Sequence, residues 1–141
     1  NVMTTLTNEM SILMDLHLNA VKMGKKLDRA LSLHGVSFNE FLIMHFLSAA
    51  NQHTTSRIEL AELLGITASG ITRLLNPMEK NRIVEKQSNP RDARVSLVKL
   101  TTSGFSLYQD CFRTFELQSA DMLPEMRQYQ ADTVLDFLKS I

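Results

Sequence analysis

Along the first third of the chain, Leu6, Met10, Leu13, His17, Val21, Gly24, Leu27 and Leu31 recur at steps of three and four. Leu16 and Met23 widen the same stripe. That period places side chains on one face of an α-helix, so residues 5–34 read as a single long helix. His34 and Gly35 end it, glycine being the residue that most easily takes the left-handed C-terminal cap. Ser37 and Glu40 have capping-box spacing and open a helix carrying Phe38, Phe41, Leu42, His45, Phe46 and Ala49. The polar run from Asn51 to Thr55 reads as a loop. Ser56 and Glu59 form a second box, ahead of Ile58, Leu60, Ala61, Leu63 and Leu64.

After a break at Gly65 to Thr67, the pattern predicts a helix over 68–81 with Thr67 as its cap. Ile83 to Gln87 and Val95 to Leu100 change to strand-like runs around a turn, Ser88-Asn-Pro-Arg-Asp-Ala-Arg94, and are expected to pair as a hairpin. Thr101 or Thr102 caps another helix, with Phe105, Tyr108, Phe112, Phe115 and Met122 spaced like a coiled-coil seam. Pro124 suits the first turn of a last helix, whose apolar face is Val134, Phe137, Leu138 and Ile141. The fold class is therefore mostly α with a small β-hairpin. The seam and the first stripe exceed what a small body covers, which points to a helical homodimer interface.

The segment from Arg57 to Leu75 carries the spacing of a helix-turn-helix. Two helices that cross steeply need a small residue at the contact, and Ala61 stands there. Four positions on, Gly65 supplies the positive φ that the turn demands. Ile66, Ile71 and Leu74 seal the crossing. If Ile71, Leu74, Leu75 and Met78 face inward, then Ser69, Thr72, Arg73, Asn76 and Lys80 share an outward stripe without an acid. Short hydrogen-bonding groups with an arginine are what reading base edges requires. Pro77 lacks a backbone donor and is expected to bend the helix or loosen its last turn.

Composition narrows the class. The 141 residues are 44% hydrophobic and 21% charged, a globular composition, with one cysteine and therefore no internal disulfide. No apolar run approaches the roughly 18 residues of a membrane span, and no signal-peptide pattern opens the chain, so a cytoplasmic location is expected. Net charge is zero, but Thr67 to Lys99 holds seven basic residues against three acids, leaving the remainder at −4. One basic segment on an acidic body is the footprint of a face that meets an anion.

With the hairpin following the helix-turn-helix directly, the arrangement looks like a winged helix. The residues Asp92, Arg94, Val98, Leu100, Thr101 and Gly104 match the Asp-x-Arg-x-x-x-Val-x-Leu-Thr-x-x-Gly signature. In this the chain resembles the MarR family of transcriptional regulators. The resemblance implies one domain over 1–141, with dimerisation helices at 5–34 and 102–141 around a DNA-binding lobe at 37–100. It implies a homodimer on a pseudo-palindromic operator in double-stranded DNA, and repression relieved by a small, often aromatic, effector. With the polar stripe of the helix and the wing residues taken together, the expected DNA-binding set is Thr67, Ser69, Thr72, Arg73, Asn76, Arg91, Asp92 and Arg94. Asp92 is expected to brace the wing and Arg94 to reach DNA. The alternative is a winged-helix module for protein contacts, without specific DNA binding.

Other chemistry finds less footing. His17 and His45 interrupt apolar stripes, with Phe41 one turn before His45. They line an effector pocket between the first two helices and the fifth, or else they are core or interface histidines with satisfied partners. His17, His34, His45 and His53 lack the paired spacing of a metal site, and no cofactor motif is present. Cys111 falls in the fifth helix and reads as structural. No nucleophile elbow, phosphate loop or zinc-protease motif occurs, so an enzyme is not expected.

Overall fold

A computed structural model describes residues 4–141; residues 1–3 of the expected domain lie outside the described residues. Six α-helices and three short strands follow one another as α1 (Asn8–Leu31), α2 (Phe38–Ala49), β1 (Thr54–Ser56), α3 (Arg57–Leu64), α4 (Ala68–Lys80), β2 (Val84–Ser88), β3 (Ser96–Leu100), α5 (Thr102–Met122) and α6 (Gln128–Ser140).

The first helix starts at Asn8, where the Thr7 hydroxyl accepts from the Met10 amide, and ends in a short 3₁₀ turn closed by Gly35 at φ 74°. Only Leu27 and Leu31 of this helix are buried, so its N-terminal two thirds project beyond the body. The predicted capping box at α2 is present in both directions, Ser37 Oγ accepting from Glu40 N and Glu40 Oε1 from Ser37 N. Asp28 Oδ1 accepts from the Phe38 amide at 2.7 Å, tying α1 to the start of α2. Phe41, Ile43, Met44 and Leu47 are almost wholly buried, making α2 the centre of the core.

Three expectations change. The run from Asn51 to Thr55 is not all loop, because Thr54–Ser56 forms β1 against β3 and gives a three-stranded antiparallel sheet of order β1-β3-β2. At α3 only half of the box exists. Ser56 caps Glu59 N, while the Glu59 carboxylate turns to the Thr55 hydroxyl. Pro124 stands before the last helix rather than in its first turn, since Arg127 is the N-cap residue and α6 begins at Gln128.

Helix α5 seats on the root of the hairpin. Thr101 Oγ1 accepts from Gly104 N at 2.9 Å and lies 2.6 Å from the Arg82 carbonyl, while Thr101 N donates to the Ile83 carbonyl at 3.0 Å. The contact is so close that a Cβ on Gly104 would stand 2.1 Å from the Ile83 oxygen. Glycine is therefore required here for space, not for its backbone angle. The aromatic seam of α5 mostly faces inward. Tyr108 is buried, and Phe105 and Phe115 pack on the core cluster. Much of the apolar surface left over lies on α1 and α6, where Leu13, Leu18, Leu135 and Leu138 are 44–64% exposed, with Phe112 and Leu117 of α5 exposed as well.

Candidate nucleic-acid interface

The turn between α3 and α4 is built as the spacing predicts. Gly65 adopts φ 67°, its amide donating to Glu62 O at 3.2 Å and that of Ile66 to Ala61 O at 3.1 Å. These two bonds close α3 in a Schellman arrangement and swing the chain into α4. Ala61 sits at the crossing, 9% exposed, with Leu60 and Ile71 fully buried beside it. The Thr67 hydroxyl caps α4 by accepting from Gly70 N at 3.1 Å.

On α4, Ile71, Leu75 and Met78 are buried and Leu74 partly so, while Ser69, Thr72, Arg73, Asn76 and Lys80 are exposed. The inward and outward faces are those expected. The helix runs through Pro77 to Lys80, and Asn81 N still bonds Pro77 O at 2.9 Å, so proline does not stop it. The missing donor falls opposite the Arg73 carbonyl, on the exposed face of the helix. A second Schellman closure follows. Arg82 at φ 60° donates to Glu79 O and Ile83 to Met78 O.

The hydroxyls are not equivalent. Thr67 Oγ1 is engaged as a cap and lies 3.1 Å from Ser69 Oγ. Thr72 Oγ1 lies 3.2 Å from the Ala68 carbonyl, to which it donates, and 3.4 Å from Arg57 Nη1, from which it accepts. One lone pair and the methyl remain for an outside partner. Among the described residues Arg73 has no acid within ion-pair distance.

At the wing tip Asn89 Oδ1 accepts from Arg91 N at 2.9 Å, and Asp92 Oδ1 from Arg94 N at 3.0 Å. The Arg94 guanidinium folds back on Asp92 through Nε at 3.1 Å and Nη2 at 3.2 Å. This is the brace expected of Asp92, and its hydrogen bonds from Arg94 hold its carboxyl below the usual range. Three of five guanidinium protons stay unused. Because Asp92 and Arg94 cancel, the net positive charge at the tip is Arg91, which has no acidic partner among the described residues.

Arg57 escaped the sequence reading. Its guanidinium reaches Glu79, Thr72 and Ser96, joining three elements that are distant in sequence. An arginine in the first turn of a short helix looks solvated, and no acid three or four positions on hinted otherwise.

The expected pocket residues divide. Phe41 and His45 meet, ring centroids 6.3 Å apart, and His45 Nδ1 lies 2.8 Å from Tyr108 Oη. Phe38, Tyr108 and Phe115 close around Phe41, leaving it 2% exposed. His17 does not join them. It is exposed beside Leu13, Met14 and Leu18, ten residues and so about 15 Å along α1 from the last buried turn. An apolar groove of about 640 Å³ lies instead at the elbow of α5 and α6, lined by Met122, Leu123, Pro124, Met126, Tyr129 and Val134. Cys111 is fully buried and its thiol is pushed up to about 11 by that burial, then by Asp110. Among the described residues no group of three His, Cys, Asp or Glu is placed to hold a metal, and no helix is long and apolar enough to cross a membrane.

Two helices crossing at Ala61 and Gly65, followed by a sheet whose β2–β3 hairpin projects beside the second helix, define a winged helix-turn-helix domain. The sequence pattern described as the MarR family matches residues 34–95. In that match and in its fold the chain is similar to MarR family regulators. It is 29% identical over 96 residues to the multiple antibiotic resistance protein MarR of Escherichia coli K12, covering 68% of this chain and 65% of that one. It is 26% identical over 93 residues to the regulator PapX of Escherichia coli, covering 63% of this chain. The matched region spans 57% of PapX and 60% of a second similar regulator, PrsX, so more than a third of each lies outside the match. In three dimensions the chain is similar to a mutant MarR from E. coli complexed with operator DNA, at TM-score 0.82 and 25% identity over 97% of this chain and 98% of that one. A MarR family regulator from Streptomyces coelicolor in complex with DNA shares the fold at TM-score 0.85 and 19% identity, over 99% and 89% of the two chains.

Proposed function

We propose that the chain is a sequence-specific DNA-binding transcriptional regulator of non-enzymatic character, acting as a homodimer in the cytoplasm on a pseudo-palindromic operator. The observation that carries the reading is the pairing of two surfaces. The acid-free stripe of α4 stands beside a wing whose tip carries the net positive charge of Arg91. In this role α4 enters a major groove, with Arg73 and Asn76 on base edges and Ser69 and Thr72 beside them. Thr67, at the helix N-terminus, and Arg91 serve phosphates, while Asp92 holds Arg94 for the adjacent minor groove.

The single domain spans 1–141, with the lobe at 37–100. The exposed apolar faces of α1 and α6 supply the dimer contact within 5–34 and 102–141, which gives a two-fold operator its matching symmetry. Repression relieved by a small apolar or aromatic effector fits the groove at the α5–α6 elbow and the aromatic cluster at Phe41 and His45. His17, remote from Phe41 and His45, belongs to the dimer surface on this reading.

Operator selection with the purified protein, followed by affinity against salt, tests the proposal. Binding through several phosphates gives a log–log slope of about −0.9 per phosphate neutralised. Arg73→Ala is expected to cost about 1–3 kcal/mol and relax specificity at one position, whereas Arg94→Ala weakens all sequences alike. A selection that enriches no palindrome would leave the protein-contact reading of the same lobe in its place.

A further inference from the structure

Arg57 opens α3, outside the helix that carries the polar stripe, yet it touches the stripe, the end of α4 and the wing. Nε donates to Ser96 Oγ at 3.1 Å, Nη1 to Thr72 Oγ1 at 3.4 Å and Nη2 to Glu79 Oε1 at 2.8 Å. The other oxygen of Glu79 lies 3.8 Å from Lys86 Nζ on β2. Arg57 and Glu79 are 18% and 22% exposed, against 91% for Arg94 at the wing tip. This pair is therefore much less screened than the brace at the tip.

Ser96 pairs with Ser88 at the outer end of the β2–β3 ladder, next to the turn. The hairpin already leaves α4 through the turn at Asn81 to Ile83, which fixes its root. β1 also pairs with β3, as far out as Ser56 opposite Leu97, but that ties the hairpin to the start of α3 and not to α4. Arg57, the next residue, extends the attachment from the outer end of β3 to two places on α4. A planar guanidinium fixes direction as well as distance, which a lysine cannot do.

We propose that Arg57 is a positioning residue for the DNA interface, clamping the wing at one angle to α4 so that both surfaces fit adjacent grooves together. This rests on the DNA-binding reading of α4 and the wing. Arg57 acts through Ser96, Thr72 and Glu79 rather than through phosphate, since each of its three guanidinium nitrogens already donates within the protein and Glu79 offsets its charge. The clamp also explains why the one acid of α4 beyond its stripe is tolerated next to a surface that meets an anion.

The test uses Arg57→Ala, Arg57→Lys and Glu79→Gln in the full chain. In free protein, amide exchange at Ser88 and Ser96 to Val98 is expected to quicken in Arg57→Ala and less so in Arg57→Lys. Amides of Phe41 to Leu47 should keep wild-type protection, which a general loss of stability would not allow. On the selected operator Arg57→Ala is expected to bind about tenfold more weakly, the size of one charge-assisted hydrogen bond, with an unchanged salt slope. Glu79→Gln should follow in the same direction. Arg94→Ala should cost less in the Arg57→Ala background than in wild type, while Arg73→Ala costs the same in both.

Wild-type wing exchange in Arg57→Ala would overturn the clamp. So would a salt slope flattened by about 0.9, which would make Arg57 a phosphate contact, or strict additivity with Arg94→Ala. A wild-type protein that enriches no sequence brings down the DNA reading, and this role with it. That outcome is distinct from failure of the clamp alone, in which wild type and variants bind one operator equally.

Discussion

Replacing Gly104 with alanine sets two effects of opposite sign against each other. Gly104 lies in the first turn of α5, and helix propensity alone makes Gly→Ala stabilising by about 1 kcal/mol. The surroundings say otherwise. The new Cβ would stand 2.1 Å from the Ile83 carbonyl oxygen and 2.8 Å from Leu100 Cδ1, where a carbon and a carbonyl oxygen ordinarily keep about 3.3 Å or more. One of the two must move by about 1 Å, and the oxygen is backbone. That same oxygen accepts from Thr101 N at 3.0 Å, and Thr101 Oγ1 lies 3.0 Å away. Overpacking costs about 1–3 kcal/mol, and weakening both hydrogen bonds adds about 1 kcal/mol each. Set against the propensity gain, the net is a destabilisation of about 2–4 kcal/mol. In a domain of this size that lowers the melting temperature by roughly 6–12 °C. Thermal unfolding at equal protein concentration, followed by far-ultraviolet circular dichroism, measures it. A variant that melts at or above the wild-type temperature would refute the close-packing argument.

Leu13 is 64% exposed in the protomer, so Leu13→Asp should leave each protomer folded yet drive a dimer toward monomer; sedimentation velocity checks it, and an unchanged mass would remove α1 from the interface. Arg82 holds φ 60° at the close of α4, a conformation costing a non-glycine residue about 1 kcal/mol. Arg82→Gly should therefore raise stability by a little under that amount, read from the urea midpoint. Cys111 titrates in the unfolded chain at its ordinary 9.0 but only at about 11 when folded. The native state thus binds the extra proton between those values, and stability is complete below pH 9.0 and declines up to about pH 11. Cys111→Ala should flatten that decline, and the wild-type thiol should resist alkylation until the protein unfolds.

What could be read in advance was what is decided locally. Ala61, Gly65 and Thr67 determine the crossing of α3 and α4 within a dozen residues, and their geometry came out as the spacing required. Asp92 and Arg94, two apart, brace the tip by the same logic. β1 was hidden because Thr54–Ser56 has no apolar alternation and is a strand only through its pairing with β3, over forty residues on. Arg57 was hidden for the same reason, its acid lying on another helix. The seam on α5 was visible as a face, but periodicity says nothing of what covers a face; Tyr108 and Phe115 meet α2, whereas Phe105 stacks on His53 and Phe112 stays exposed. His17 was grouped with Phe41 and His45 because the pattern shows stripes and not the distance along a helix at which a body ends.

The projecting length of α1 links shape to abundance. Nothing from Asn8 to Lys26 is buried within the protomer, and a free helical segment of that length is marginal in water. Its order must come from whatever lies against it, so mass action governs how much of it is formed. For a homodimer, the concentration of the protein itself then sets the fraction with an ordered α1. Dilution melts that arm first and leaves the helix-turn-helix lobe, with its own core around α2, still folded.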